Sequence, residues 1–496
     1  MSIALILEMA SSGFGDRIAL GSTDGGITFA ELAARAQAGA QFITADQTQH
    51  VVFIGRNGPV FPLLLFSAAL AGVPFVPLNY RLTRDAVLDL LDGIEKPMLV
   101  IEPEYVPLVS GTYQTVSVAE FLSASSPGER FEGAEVLDDS PAVLLFTSGT
   151  TARPKTVVLR HANLLAYVFS TADFGSAEVN DATLVAVPPY HIAAVGSALS
   201  NAYVGRRVVY LPDFDAPLWL DIVRRERVTS AMVVPTMLVR IVDALGDDPA
   251  DVPDLRLISY GGARMPRPAL MKALRSFPTA GFCNAYGLTE TSSTLTLLGP
   301  EDHRTALESA DPRHRERLGS AGRPVPGVEI QVRDEDGAVA PAGVAGDLYV
   351  RGAQVSGEYL GQGSALDADG WFNTRDRARL DDDGYLYVEG RADDTIIRAG
   401  ENIAPAEIED VLREHRAVKD VAIVGKPDEE WGERIVAVVV REPDAKVTAD
   451  ELRAYARERL RGSRTPDEVV WRGELPHTAT GKLLRRELAA ELLDGT

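Results

Sequence analysis

Short apolar runs alternate with helix-length segments through most of this chain, and that alternation restricts it to an α/β architecture. Residues 51–54, 75–77 and 97–101 read as strands, and residues 28–41, 60–71 and 83–91 as helices. Thr28 followed three residues later by Glu31 is a capping box, so that helix start is written locally. The pattern predicts a doubly wound layer. It resumes downstream, with strands at 183–187, 207–211, 229–234, 255–259 and 281–285 and helices at 163–170, 217–227, 235–245 and 266–276. These predict a second parallel-sheet unit. Residues 107–138, rich in Ser, Gly, Pro and Glu, are expected to form an irregular connection. Residues 301–318 carry many charges and are expected at the surface, followed by a turn over 319–326. Strands at 328–332 and 346–350 predict a small antiparallel, barrel-like unit that completes the large domain. Beyond it, strands at 394–398, 418–425 and 434–440 and helices at 405–414, 448–460 and 483–493 make a separate α+β lobe. The expected division is a large N-terminal domain over 1–391 and a mobile C-terminal lobe over 392–496.

A chain of 496 residues can bury a large core, and its 71 acidic against 49 basic residues give a net charge of −22. That excess disfavours a nucleic-acid partner, which needs a basic face. It leaves room for phosphate ligands, because a local cradle can oppose the global field. The single cysteine, Cys283, excludes an intramolecular disulfide. The short apolar run at the N-terminus lacks a signal peptide's basic flank, and no stretch has the length and apolarity of a membrane span. A soluble, cytoplasmic protein is expected. Seven histidines and one cysteine fall at no zinc spacing, so no transition-metal site is expected.

In open parallel sheets ligands sit beyond the carboxyl ends of strands. Four such ends lead into unusual segments. The first holds Thr147, Ser148, Gly149, Thr150 and Thr151, then Lys155. Glycine turns N–H groups inward, hydroxyls add donors and lysine adds a mobile charge, which together suit a phosphate. The same letters also suit a solvent-exposed turn, and the Walker pattern is not matched. The second end carries Tyr190 and His191, then Ala194 and Gly196. His191 there could be a gate, a base or a packing residue. At the third, Gly261, Gly262 and Ala263 allow a flat group close to the backbone, or form an ordinary turn. At the fourth, Tyr286 can stack on a base, Thr289 can donate to a phosphate and Glu290 can hold Mg²⁺ between phosphate oxygens. A capped turn is the alternative. Further on, Asp376 lies in a turn-rich segment and can take two ribose hydroxyls, or be a surface carboxylate.

Taken together these segments resemble the adenylate-forming superfamily of acyl- and aryl-CoA ligases, luciferases and peptide-synthetase adenylation domains, and most of all its acyl-CoA synthetases. The first loop is similar to the TSGTTGxPKG signature, with Ala152 and Thr156 at two glycine positions. YGLTE at 286–290 matches a second signature. GWFNTRD at 370–376 is similar to GWxxTGD, with Arg375 at the glycine position, and Arg391 follows in the family's GR pair. The resemblance implies that Thr147, Ser148, Gly149, Thr150, Thr151 and Lys155 hold the pyrophosphate end of ATP. It implies that Tyr286, Thr289, Asp376 and Arg391 contact adenine, ribose and phosphate, and that Glu290 binds Mg²⁺. His191, Ala194, Gly196, Gly261, Gly262 and Ala263 would line the acyl pocket. Asp393 would be the hinge, Ala399 and Gly400 would border the pantetheine channel, and Lys482 would be the catalytic lysine, with Glu290 and His191 completing the catalytic set.

Relatives that activate amino acids carry an aspartate just after an aromatic residue in the His191 segment. Ile192 follows His191 here, which points to a plain carboxylic acid. The implied reaction joins such an acid to AMP from ATP, expels pyrophosphate, and transfers the acyl group to coenzyme A. No general base is needed, because the acid is ionised at neutral pH. Two alternatives stay open: an acyl-AMP ligase that loads an acyl carrier protein, and a nucleotide-binding homologue with reduced or lost turnover. A homodimer is compatible with the sequence.

Overall fold

The computed structural model describes residues 1–128, 131, 133–147, 154–246, 248–391, 394–398, 401–428, 431–460, 462–478 and 483–493. Two large sheets carry the N-terminal domain. The eight-stranded sheet runs in the order Gly363–Ser364, Glu358–Tyr359, Lys155–Arg160, Pro141–Thr147, Phe75–Pro77, His50–Ile54, Pro97–Ile101, Thr115–Ser117. Its last five strands are parallel, and the first three join antiparallel. In the nine-stranded sheet, six parallel strands run from Gly281–Leu288 through Leu257–Gly261, Ser230–Val233, Ala182–Val185 and Arg207–Tyr210 to Ile18–Leu20. Ser293–Leu298 and Arg323–Pro324 extend one edge antiparallel.

The helix Val60–Ala71 shows why the two sheets form one body. Its sequence VFPLLLFSAALA is apolar on every side, and all its residues except Leu70 are buried. A helix without a polar face belongs inside, and each such Leu or Phe contributes about 2 kcal/mol by leaving water. A continuous core takes in Val51, Phe53 and Val143 from one sheet and Leu184, Val208 and Phe282 from the other. That shared core fixes the end of Pro141–Thr147 relative to the end of Gly281–Leu288. A smaller antiparallel sheet, ordered Val328–Arg333, Gly346–Gly352, Phe372–Leu380, Leu386–Arg391, packs its own core against Leu295.

The C-terminal α+β domain has separate cores. In Val418–Asp428, Val421 and Ile423 face one cluster with Ile408 and Leu452, while Ala422 and Val424 face another with Leu475 and Leu488. A strand covered on both faces reads as an unbroken apolar run, which is what residues 421–424 show. Among the described residues no helix is long and apolar enough to cross a membrane.

Three expectations are corrected. The segment 107–138 is not irregular throughout: it holds the edge strand Thr115–Ser117 and the helix Val118–Ala124. Both are too short to show periodicity, but a capping box marks the helix, with Ser117 N donating to Glu120 Oε2 at 2.7 Å and Glu120 N to Ser117 Oγ at 3.2 Å. The segment 301–318 is not all surface, because the helix Pro300–Glu308 buries His303 and Ala306. His303 is held there by the Tyr260 hydroxyl at 2.9 Å. The strand expected to stop at residue 285 continues to Leu288, so Tyr286 belongs to the sheet.

His161 begins the helix His161–Thr171 and is 1% exposed; its Nδ1 accepts the Ile3 amide at 3.2 Å. Burial, helped by the nearby N-terminal ammonium, lowers its pKa from 6.5 to about 4. Between those values the unfolded chain binds a proton that the folded chain refuses. Stability is therefore full above the unfolded pKa and falls as pH drops, by about 2 kcal/mol from about pH 7 to about pH 5. We expect His161→Gln to flatten that part of the profile in urea denaturation. An unchanged slope would show that other groups set it.

Candidate active site

The strand Pro141–Thr147 pairs antiparallel with Lys155–Arg160, and Thr147 stands opposite Lys155. Thr147 Oγ1 donates to the Lys155 carbonyl at 3.4 Å. Ser148, Gly149, Thr150 and Thr151 lie outside the described residues, as does Ala152. Thr156, at the other glycine position, sits in register opposite Phe146, in a strand that suits a β-branched residue. Its carbonyl accepts Leu360 N at 2.9 Å. The edge strand Glu358–Tyr359 is thereby laid along Lys155–Arg160, with Tyr359 opposite Val157. Arg160 clamps both oxygens of Glu358 at 2.8 Å each. The Lys155 ammonium sits 4.7 Å above the centre of the Tyr359 ring.

Glu290 comes to the same ring from the other sheet. It lies in the short 3₁₀ turn Thr289–Thr291 that ends the strand Gly281–Leu288. Its carbonyl accepts Ser356 N at 2.9 Å and Gly357 N at 3.1 Å, and its Oε1 accepts the Tyr359 hydroxyl at 3.0 Å. Among the described residues Glu290 forms no ion pair and its Oε2 has no hydrogen-bond partner. Burial, then the Glu290 carboxylate, push the Tyr359 phenol above its ordinary range, so it stays a donor. Thr289, beside Glu290, is half-buried.

Tyr286, Asp376 and Arg391 form one network. The Tyr286 hydroxyl donates to Asp376 Oδ2 at 2.5 Å, and Arg391 Nε lies 3.1 Å from Asp376 Oδ1. Arg391 also donates to the Thr374 carbonyl at 2.9 Å. Burial opposes the charge on Arg391, but Asp376, Tyr286 and Glu290 outweigh it and raise its pKa. The Asp376 side chain is 5% exposed, so it sits inside this network rather than on the surface.

Arg375 occupies a bulge. Asn373 pairs with Tyr349 and Arg377 with Asp347, so residues 374–376 stand opposite Leu348 alone. Arg375 takes a φ of +59° there, in the left-handed region that glycine favours in such bulges. For a side chain this costs about 1 kcal/mol. We expect Arg375→Gly to raise the large domain's thermal midpoint by about 1 °C. No gain in calorimetry would mean that the arginine's own contacts offset its backbone strain.

His191 is the N-cap of the helix Ile192–Val204, whose buried face includes Ala194 and Gly196. A Cβ at Gly196 would lie 3.3 Å from the Tyr167 ring and 3.4 Å from Ser293 Oγ. Ser293 is three residues from Glu290, so this helix approaches the turn that carries Glu290. Gly261 pairs with Ala285, where a Cβ would stand 2.2 Å from the Ala285 carbonyl oxygen. Gly262 then turns with φ +82°, and Ala263 follows. Burial, then the field of Arg81, lower the His191 pKa to about 4. A neutral imidazole with so low a pKa is a weak base, which favours gating or packing. Its Nε2 and the Tyr190 hydroxyl are shielded from solvent and have no partner among the described residues.

Asp393, Ala399, Gly400 and Lys482 lie outside the described residues. Beside them, Asp394 stands 3.6 Å from Arg485, and Arg264 of the large domain pairs with Asp410 of the small one. Cys283 is buried in the strand Gly281–Leu288, and burial pushes its thiol up to about 12. Among the described residues no three His, Cys, Asp or Glu side chains cluster as metal ligands. Sequence reasoning missed Tyr359, Tyr167 and Ser293, which lie in ordinary strand and helix text and gain meaning only through contacts far along the chain.

The AMP-binding enzyme family matches residues 7–360, and the AMP-binding enzyme C-terminal domain matches residues 407–482. The chain belongs to the AMP-binding enzyme family. It is thus a member of the adenylate-forming superfamily and stands closest there to the acyl-CoA synthetases. The chain is 32% identical to a 2-succinylbenzoate–CoA ligase of Bacillus cytotoxicus, covering 95% of each chain. It is also 32% identical to a fatty acid–acyl-carrier-protein ligase of Streptomyces coeruleorubidus, over 88% of this chain and 86% of that one. Among solved structures, o-succinylbenzoate CoA synthetase of Bacillus subtilis, in complex with an acyl-adenylate intermediate, superposes with a TM-score of 0.85. That pair is 30% identical and the match covers 97% of each chain. Adenylate-forming ligase activity on a carboxylic acid follows from this membership.

Proposed function

We propose that the protein is an AMP-forming acid–CoA ligase for an aryl or branched carboxylic acid. The observation that carries this reading is the meeting of Lys155 and Glu290 on one Tyr359 ring, at the ends of strands from two sheets. Activation of a carboxylate brings two anions together, so the site must neutralise and align them. The Tyr286–Asp376–Arg391 network would hold the nucleoside, with Asp376 accepting from ribose hydroxyls. Thr289 would donate to the α-phosphate, and Lys155 with residues 147–151 would hold the departing pyrophosphate. Glu290 fits Mg²⁺, since one carboxylate oxygen has no partner among the described residues and Mg²⁺ needs few protein ligands besides phosphates. When bound, the metal would neutralise phosphate charge. Ala194 and Gly196, the latter packed close to Tyr167 and Ser293, would border the acid together with Gly261, Gly262, Ala263 and neutral His191.

The acid's oxygen attacks the α-phosphorus and pyrophosphate leaves. The thiol of coenzyme A then attacks the acyl carbon, AMP leaves with the bonding electron pair, and the thiol proton goes to solvent. In this reading residues 392–496 turn about Asp393, so that Lys482 serves the first step and Ala399 and Gly400 border the path of the thiol. Coenzyme A is the proposed acceptor on the likeness to the Bacillus CoA ligase over 95% of each chain; the likeness to the Streptomyces enzyme makes an acyl carrier protein the second reading. A panel of acids with ATP, Mg²⁺ and either acceptor, scored for AMP and thioester, tests both. Thioester with coenzyme A supports the first. Thioester only with the carrier protein supports the second, and nucleotide binding with neither product shows a homologue without turnover.

A further inference from the structure

The segment Ser356–Leu360 is fastened at both ends. Ser356 Oγ donates to the Val158 carbonyl, and Ser356 N and Gly357 N both donate to the Glu290 carbonyl. Leu360 N donates to Thr156. Tyr359 opposes Val157, so Lys155 is its diagonal neighbour on the same face of the sheet, within reach of a long side chain. The Tyr359 ring thus has the ammonium over its face and the Glu290 carboxylate on its hydroxyl. Without the ring, the two opposite charges would be free to pair directly. A Lys155–Glu290 salt bridge would occupy both groups that an incoming nucleotide needs.

We infer that Tyr359 is a positioning residue that keeps Lys155 and Glu290 apart, so that each charge stays open until a phosphate or a metal arrives. The inference rests on the nucleotide-binding reading above. The cation–π contact is weak enough to be given up when a phosphate offers the lysine a full negative charge. The hydroxyl holds one carboxylate oxygen and leaves the other in place. Phenylalanine would keep the ring and lose the hydrogen bond; leucine would remove both.

The test is ATP binding by calorimetry, without any acid so that no turnover occurs, first in EDTA and then with Mg²⁺. In EDTA, Tyr359→Leu is expected to bind ATP roughly fivefold more weakly than the native protein, because Lys155 now pairs with Glu290. Tyr359→Phe should stay close to native in EDTA. Adding Glu290→Gln to Tyr359→Leu should restore the metal-free affinity, since the competing charge is gone. A general packing defect would not be rescued in this way. With Mg²⁺, Tyr359→Leu should need a higher metal concentration for half-maximal binding. Native-like binding by Tyr359→Leu, or failure of Glu290→Gln to rescue it, overturns the role of Tyr359 while the nucleotide site stands. No ATP binding by the native protein overturns the nucleotide reading itself.

Discussion

Glu290→Gln is expected to lower acid-dependent AMP formation roughly a hundredfold while the fold stays intact. The change is isosteric, and an amide oxygen can still accept the Tyr359 hydroxyl that now lies 3.0 Å from Oε1. The backbone carbonyl of Glu290, which holds Ser356 and Gly357, is untouched. What disappears is the negative charge on a side chain that has no cation partner among the described residues. Arg391 feels that charge but keeps Asp376 as its first electrostatic partner, so most of the loss should fall on the ligand. Raising Mg²⁺ should recover part of the rate, because a weaker site fills at higher metal concentration. AMP formation measured across a Mg²⁺ series, beside a thermal melt, checks both halves. Native activity at limiting Mg²⁺ would remove Glu290 from the metal site.

Lys482→Ala is expected to lower acyl-adenylate formation by roughly two to three orders of magnitude and to spare thioester formation from a supplied acyl adenylate. A single ammonium reaching the acid carboxylate and the α-phosphate gains most where charge rearranges, in the transition state of the first step. In the proposed reading the second step takes place at the acyl carbon with the lobe turned the other way. Asp393→Pro should therefore show the opposite split, by fixing the backbone about which the lobe turns. Single-turnover measurements of each half-reaction decide the matter. Equal loss of both halves in a folded Lys482→Ala protein would reject a division of labour between two lobe orientations.

The fold was legible wherever burial was two-sided or a cap was local. The helix Val60–Ala71 and the strand residues 421–424 announce themselves by apolar text, and Thr28 caps its helix as its spacing from Glu31 implies. The strand Thr115–Ser117 and the helix Val118–Ala124 were hidden because a few residues carry too little periodicity, although Ser117 and Glu120 spelled the cap. The helix Pro300–Glu308 was hidden because its charged letters outnumber the two residues it buries. At the site, Tyr286, Glu290, Asp376 and Arg391 could be singled out one by one from motif text. That Tyr286 and Arg391 both converge on Asp376 could not, because Tyr286 comes ninety residues earlier from a different sheet, while Arg391 stands opposite Asp376 on the neighbouring strand. Tyr359 was invisible for the same reason: its neighbours Lys155 and Glu290 reach it from separate sheets. Arg375 shows the reverse case, where a departure from a motif is plain in the sequence and the backbone absorbs it in a left-handed bulge.

The state of Cys283 has a practical consequence. An acyl adenylate is a strong electrophile, and an accessible thiolate on the protein would capture it. The chain's one thiol is buried and held protonated, so it offers no such trap. For the same reason maleimide or disulfide chemistry aimed at newly introduced cysteines meets almost no background. Arg264 and Asp410 already face each other across the two domains. Replacing that pair by two cysteines and joining them with a cleavable thiol cross-linker that spans the former side chains would give a reversible latch: joined, it would freeze the lobe in the orientation seen here, and cleaved, it would release it. Which half-reaction survives under the latch would then identify the step that this orientation serves.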